Sequence, residues 1–241
     1  MKKTLSMIAI AILLTASTAF SQKQVYFGLG GSFLSTWTTN QNNYGLPFEM
    51  DYVSTFGGNG NLNIGFDFNN NIGLKLEVGY AVLGQKYKDT HEGSDYTRSV
   101  SMNYLQIPLL FKFRTSGKIA RFYLMAGPQF NMLLSANQKY NKNGIIDTLT
   151  IINPITLQPI KVGEETITDR YTSLDIMGRI DLGVDISLGS SLFLNVGLTM
   201  AYGLMDINAT DWRIPDHTNN YNPSHNLYGG INIGLNYVIP L

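Results

Sequence analysis

Three histidines, His91, His217 and His225, stand in polar stretches beside Asp89, Glu92, Asp95, Asp206, Asp211 and Asp216. Imidazole next to carboxylate is the pairing of general acid–base chemistry, which requires the groups within hydrogen-bond reach. No spacing here imposes that contact, and solvated loop residues account for all three. Asp89-Thr90-His91-Glu92 and Asp211 with Asp216-His217 offer oxygen and nitrogen ligands to a divalent cation, but neither has the regular spacing of a cation-binding loop. The chain has no cysteine, which excludes disulfides, thiolate metal sites, a cysteine nucleophile and a lipid-modified N-terminal cysteine. Gly57-Gly58-Asn59-Gly60 has the composition of a phosphate loop, yet it lies inside a strand pattern with no helix after it. The residues therefore assign no catalytic group, cofactor or metal.

The remaining ionisable set is Lys75, Glu77, Lys112, Asp175, Arg179, Asp181 and Asp185, charges that fall in the middle of otherwise apolar alternating segments. Two chemistries fit: an ion path, or a plug of mutually neutralising side chains. Isolated charges in a narrow enclosure are costly, so the plug is the favoured reading. Within it Arg179 is expected to pair with Asp181, two residues along the same face, and with Glu77 across the interior.

Positioning such charges requires elements with one polar and one apolar face. Eight segments alternate with period two, the strand signature: residues 24–37, 54–68, 72–84, 99–113, 121–134, 171–188, 191–204 and 226–240. In 54–68, Phe56, Leu62, Ile64, Phe66 and Phe68 oppose Asn59, Asn61, Asn63 and Asp67. In 99–113, Leu105 to Phe113 share one parity while Val100, Met102 and Tyr104 share the other, so a bulge is expected near Tyr104-Leu105. Connections alternate between short (69–71, 114–120, 189–190) and long (38–53, 85–98, 135–170, 205–225). Prolines Pro47, Pro154, Pro159, Pro215 and Pro223 all fall in the long ones. The expectation is one all-β domain, an eight-stranded antiparallel up-and-down barrel with four long loops on one side and three short turns on the other.

Period two does not say which face is inside. A soluble eight-stranded barrel points its apolar face inward, a membrane barrel outward. Mid-strand charges favour the second. So do the aromatics on the apolar face, which gather at strand ends: Phe27, Phe66, Phe68, Phe111, Phe113, Phe122 and Tyr237 near the short turns, and Trp37, Phe56, Tyr80, Phe130 and Tyr202 near the long loops. Two such girdles mark the two membrane interfaces. The segment from 56 to 68 runs about 40 Å at ~3.3 Å per residue, which spans a bilayer core when tilted. Only 14% of residues are charged and the formal net charge is zero, which argues against a nucleic-acid binder. Met1-Lys2-Lys3, the apolar run from Leu5 and the small residues Ala16 to Ala19 read as a secretory signal, residues 1–21, cleaved after Ala19-Phe20-Ser21. The barrel is then residues 22–241.

Tyr104-Leu105-Gln106-Ile107-Pro108-Leu109-Leu110-Phe111-Lys112, followed by Phe122-Tyr123-Leu124-Met125-Ala126-Gly127-Pro128, resembles the PorT-like outer-membrane β-barrel proteins of Gram-negative bacteria. The resemblance implies a barrel in the outer membrane, inserted by the general assembly machinery, and one branch of that family is tied to protein secretion. The C-terminal Leu241 departs from the aromatic residue common at the end of such barrels, with Tyr237 as the available substitute. The expected role is non-enzymatic: envelope structure, adhesion or docking of an extracellular or envelope protein through the loops, 135–170 above all. A narrow channel for ions or small solutes, porin-like, is the alternative, and a membrane enzyme at the loop rim the third reading. Outer-membrane lipid and the assembly machinery are the expected partners.

Overall fold

The computed structural model describes residues 23–41, 49–153, 155–215 and 220–240. The signal segment 1–21, Pro47, Pro154, Asp216, His217 and Leu241 lie outside the described residues. Eight long strands carry the fold: β1 Gln24–Thr38, β2 Thr55–Asp67, β3 Ile72–His91, β4 Ser94–Arg114, β5 Ala120–Lys142, β6 Leu174–Ser187, β7 Leu192–Gly203 and β8 Asn226–Pro240. Each pairs antiparallel with its sequence neighbour, and β1 closes the ring on β8. No sheet edge is left open along the barrel, as a membrane requires of any sheet that crosses it.

The register fixes the bore. Cross-strand partners lead from Gln24 through Asp67, Gly73, Lys112, Met125, Asp181, Thr199 and Gly230 back to Leu34, ten residues further along β1. With strands ~4.8 Å apart and ~3.3 Å per residue, a ten-residue stagger over eight strands tilts them by about 40°. The interior is then just wide enough to be filled by side chains.

Leu29, Leu62, Leu182 and Leu198 point out of the barrel, exposed as they would be to lipid, while their neighbours Asn63 and Asp181 are buried inside. All twelve girdle aromatics lie on this outward face. Phe27 packs on Tyr237 and Phe66 on Phe68 near the short turns, and Phe33 stacks on Phe56 near the loops.

Two expectations about the long-loop side need correction. Residues 85–98 are not a loop: β3 and β4 continue through them and meet at a two-residue turn, Glu92-Gly93, both with positive φ. Likewise β5 runs on to Lys142 and turns at Asn143-Gly144 with the same geometry. Asn-Gly is a strong hairpin signal because both positions must adopt φ > 0. The bulge expected near Tyr104-Leu105 is present at that height but on the facing strand, since β4 keeps one register with β3 throughout. Val100, Met102 and Tyr104 share the inward face with Gln106, Leu110 and Lys112. The irregularity is across the β4–β5 seam, where Asn103 pairs with Ser135 but Tyr104 with Leu133, so β5 carries the extra residue, Leu134. What changes along β4 is the chemistry of its faces. Beyond the membrane band, the inner face becomes apolar and the outer face polar, as in a soluble barrel. Leu34, Met50, Leu83, Tyr87, Val100, Met102 and Tyr104 belong to that upper core.

Leu182→Arg should destabilise the barrel by about 2–4 kcal/mol, the usual cost of a cation on the lipid face at mid-membrane. Leu182→Met should be close to neutral. Urea titration of folding into lipid vesicles would measure both, and equal tolerance of Arg and Met would place residue 182 off the lipid face.

Candidate functional site

Inside the ring the charges form two layers. Nearest the short turns, the Lys112 ammonium bonds the Asp185 carboxylate at 2.6 Å, and Arg114 bonds Asp67 at 2.8 Å while approaching Asp185 at 3.9 Å. Asn195 also donates to Asp185. The Lys112 ammonium is enclosed by the rings of Tyr26, Tyr123 and Phe193, each 5.1–5.5 Å from it. A cation over aromatic faces recovers part of its lost hydration. The Tyr26 ring occupies the space that a side chain at Gly65 would need, and the Tyr123 hydroxyl fills that beside Gly183 and Gly197. Glycines on the inner face thus make room for tyrosines.

The second layer is centred on Arg179. Its guanidinium donates to both oxygens of Asp181 at 2.8–2.9 Å and to Glu77 at 2.9 Å, and Lys75 bonds the other Glu77 oxygen at 2.8 Å. Two cations and two carboxylates neutralise one another with fork geometry, which favours arginine over lysine at the centre. All four side chains are buried. The cavity among them is about 20 Å³, room for about one water.

Asp175 does not join either layer. It sits above them, accepting from Asn226 at 3.0 Å and Asn131 at 3.4 Å, with Tyr104 hydrogen-bonded to the same Asn226. The seven charges are therefore not one cluster. Two members of the lower layer, Asp67 and Arg114, were left out of it by sequence reasoning, although Asp67 lies on the polar parity of β2 and Arg114 continues the parity of Gln106 and Lys112. A further buried arginine, Arg98, sits in the upper core, donating to Gln138 and to the Gln41 carbonyl.

Above the upper core the loops interlock. Gln41 donates to Asn208 at 2.7 Å and accepts from the Tyr171 hydroxyl at 3.1 Å. Asn208 donates to Tyr221 and Ser224, and Tyr221 donates to Asp206 at 2.7 Å. Burial, reinforced by Asp206, holds the Tyr221 phenol above its ordinary pKa. Further out, Arg170 lies 4.3 Å from the Trp212 ring and bonds Glu165 at 2.7 Å, while Asn153 donates to the Asp211 carbonyl at 3.0 Å. These contacts tie the 143–173 connection to the 204–225 connection around an open cleft of about 370 Å³.

The two described histidines, His91 and His225, do not line this cleft. His91 is at the β3–β4 tip beside Glu92, and His225 bonds the Met205 carbonyl and stacks on Tyr202. Among the described residues no three His, Asp or Glu side chains converge as metal ligands.

A closed eight-strand ring with an apolar outer band and a charged interior defines a transmembrane β-barrel. The chain belongs to the family described as outer membrane protein beta-barrel domain, whose model matches residues 16–209, and the protein is accordingly an outer-membrane protein. Similar solved structures are a major outer membrane protein from Thermus thermophilus (14% identity, 90% of this chain and 99% of that one, TM-score 0.46), Neisserial surface protein A (12%, 88% and 96%, 0.44) and the N-terminal β-barrel domain of Pseudomonas aeruginosa OprF (12%, 91% and 100%, 0.42). No curated protein matches the chain.

Removing Arg179 strands the buried Asp181 carboxylate, while Glu77 keeps Lys75, and breaking such a pair costs about 3–5 kcal/mol. Arg179→Met should therefore fold into vesicles with a lower urea midpoint. Adding Asp181→Asn to it, with the Lys75–Glu77 pair left intact, should recover part of the loss. If the double variant is no more stable than Arg179→Met, the penalty does not come from stranded charge.

Proposed function

We propose that this protein is a closed, non-enzymatic outer-membrane scaffold whose working surface is its extracellular loops, serving adhesion or the docking of an envelope or extracellular partner. The observation that carries this reading is the filled interior: the space among the Arg179 layer holds about one water, and the aromatic cage of Lys112 blocks the bore below it. A conducting path for ions or solutes needs continuous water, which these two layers interrupt. On the loop side, by contrast, β3, β4 and β5 extend well past the girdle and carry the loops outward. Against the enzyme reading, the two described histidines sit on separate loops away from the carboxylates of the cleft. Two features of the reading rest on the sequence: export by a signal peptide removed after Ser21, and PorT-like membership on the Tyr104–Lys112 and Phe122–Pro128 motifs. Insertion by the assembly machinery follows from that membership.

Purified protein in planar bilayers at about 0.1–1 M salt should show no steady openings. Openings that change when Arg179 or Glu77 is neutralised would establish a channel instead. In cells, replacing residues 145–164 by a short Gly-Ser linker should leave the barrel assembled and reproduce the phenotype of a full deletion. A linker variant indistinguishable from the intact protein would remove the loops from the function.

A further inference from the structure

Resting on the loop-surface reading, we infer that the outer edge of the loop hairpin formed by Leu149–Ile152 and Pro159–Val162 docks a second copy of this chain, strand against strand. The hairpin is a two-stranded sheet separate from the barrel. The Asn153 N–H donates to the Gln158 carbonyl at 3.0 Å, and the pairing runs back from Ile152 opposite Pro159 to Leu149 opposite Val162. An antiparallel ladder alternates between hydrogen-bonded and non-hydrogen-bonded pairs. Counted back from Asn153, the backbone groups of Ile151 and Leu149 therefore face the partner strand, and those of Thr150 and Ile152 face away. No described residue hydrogen-bonds the outward N–H and C=O of Thr150 and Ile152.

The two edges of the hairpin differ. On the Pro159–Val162 side, Pro159 has no N–H to offer, and the Lys161 carbonyl accepts from Arg170 at 3.4 Å. Val162 on the same strand packs with Tyr140 of β5. That edge is closed to strand addition. The Leu149–Ile152 edge carries none of the usual guards, neither proline nor lysine nor bulge. From Thr148 to Ile160 the sequence has no charged residue, and Ile152 is 59% exposed. Such an edge is a template for another strand.

Only an extended chain supplies alternating backbone donors and acceptors to match the edge, and the edge's own sequence selects a second copy. Antiparallel pairing about Ile151 brings Thr150 of each copy opposite Ile152 of the other, in hydrogen-bonded pairs that use all the outward groups. Every facing residue is then β-branched, the class that packs best on a pleated surface. Asp147 of each copy lies beyond the paired stretch, so no like charges oppose one another. A charged peptide would find no counter-charge along the edge. The edge is also preformed. The buried Asn153 accepts from the N–H groups of Ile155 and Thr156 and donates to the Asp211 carbonyl, which fixes the turn and leaves little ordering cost for binding. A contact this short makes a weak, reversible interface.

In this pairing Ile151 meets its own copy in a non-hydrogen-bonded pair, with Cα atoms about 4.5 Å apart, within the range a disulfide bridges. The chain has no cysteine, so Ile151→Cys introduces the sole thiol. Oxidised in vesicles with copper–phenanthroline, that variant should give a disulfide-linked dimer on denaturing gels, in clear excess over a Ser94→Cys control for random collision. Adding Ile152→Lys should lower the dimer about tenfold, because lysine on an edge blocks strand addition, and should leave the urea midpoint of the barrel unchanged. No dimer above the control, or a dimer unaffected by Ile152→Lys, would overturn the proposal. So would loss of the dimer to an unrelated uncharged β-forming peptide as readily as to a peptide of residues 147–153, which would make the edge a general peptide acceptor. Absence of the dimer with the linker phenotype intact rejects the second copy and leaves the loop-surface reading standing. A dimer without that phenotype rejects the loop-surface reading while the pairing holds.

Discussion

Eight strands staggered by ten residues enclose a narrow bore that side chains can fill, and this constraint bears on each of the described inward-facing charges. A charge admitted there cannot be hydrated, so it must find an opposite charge or, like Asp175, hydrogen-bond donors at the same height. Arg179 meets Asp181 and Glu77, and Glu77 in turn meets Lys75. Lys112 and Arg114 meet Asp185 and Asp67. The pairs are weak arguments for stability in themselves, since buried ion pairs roughly balance Coulombic gain against desolvation. They act on register: sliding a strand by one residue would carry one partner of a pair into lipid.

The same barrel solves two solvation problems along its axis. Within the girdle the outer face is apolar and the inner face polar. Above it, where β3, β4 and β5 stand in water, Tyr87, Val100 and Met102 turn inward, while Lys86, Lys88 and Lys139 face out. The upper core and the Gln41–Asn208–Tyr221 network then act as a rigid platform, on which the loop cleft is held by Asn153 and Arg170. Function in this reading depends on the rigidity of the plug and upper core, which turns the loops into a shaped surface.

Much of this was legible in the alternation. The eight strands follow from period two, and their facing from the mid-strand charges on the other parity, because lipid imposes a strict apolar requirement on one face. The errors have physical causes. The change of parity in 99–113 reads as a bulge of β4 itself when one assumes that the apolar face is always the outer one; here the apolar requirement changes sides at the membrane surface. Residues 85–98 read as a loop because strands in water need no apolar outer face, although Asn143-Gly144 in the next connection was an available hairpin signal. The separation of Asp175 from the charge layers could not be read from spacing, since parity gives the side of a residue and not its partners across a ring. Nor does any sequence pattern place Asn153 on the Asp211 carbonyl or Arg170 against Trp212, contacts between two connections far apart in the chain.

The claim that the interior is sealed can be tested directly, because the chain has no cysteine to interfere. Ser32 borders the small cavity of the Arg179 layer, and Ser32→Cys places a thiol there with little change in volume. In vesicles that variant would be treated with a membrane-impermeant methanethiosulfonate reagent from one side and from both, beside a Ser94→Cys control at the tip of the β3–β4 hairpin. The sealed barrel requires that the tip thiol react promptly and that the thiol at residue 32 stay unmodified until urea unfolds the chain. Prompt modification of residue 32 in the folded barrel would show a water path through the lumen and contradict the account.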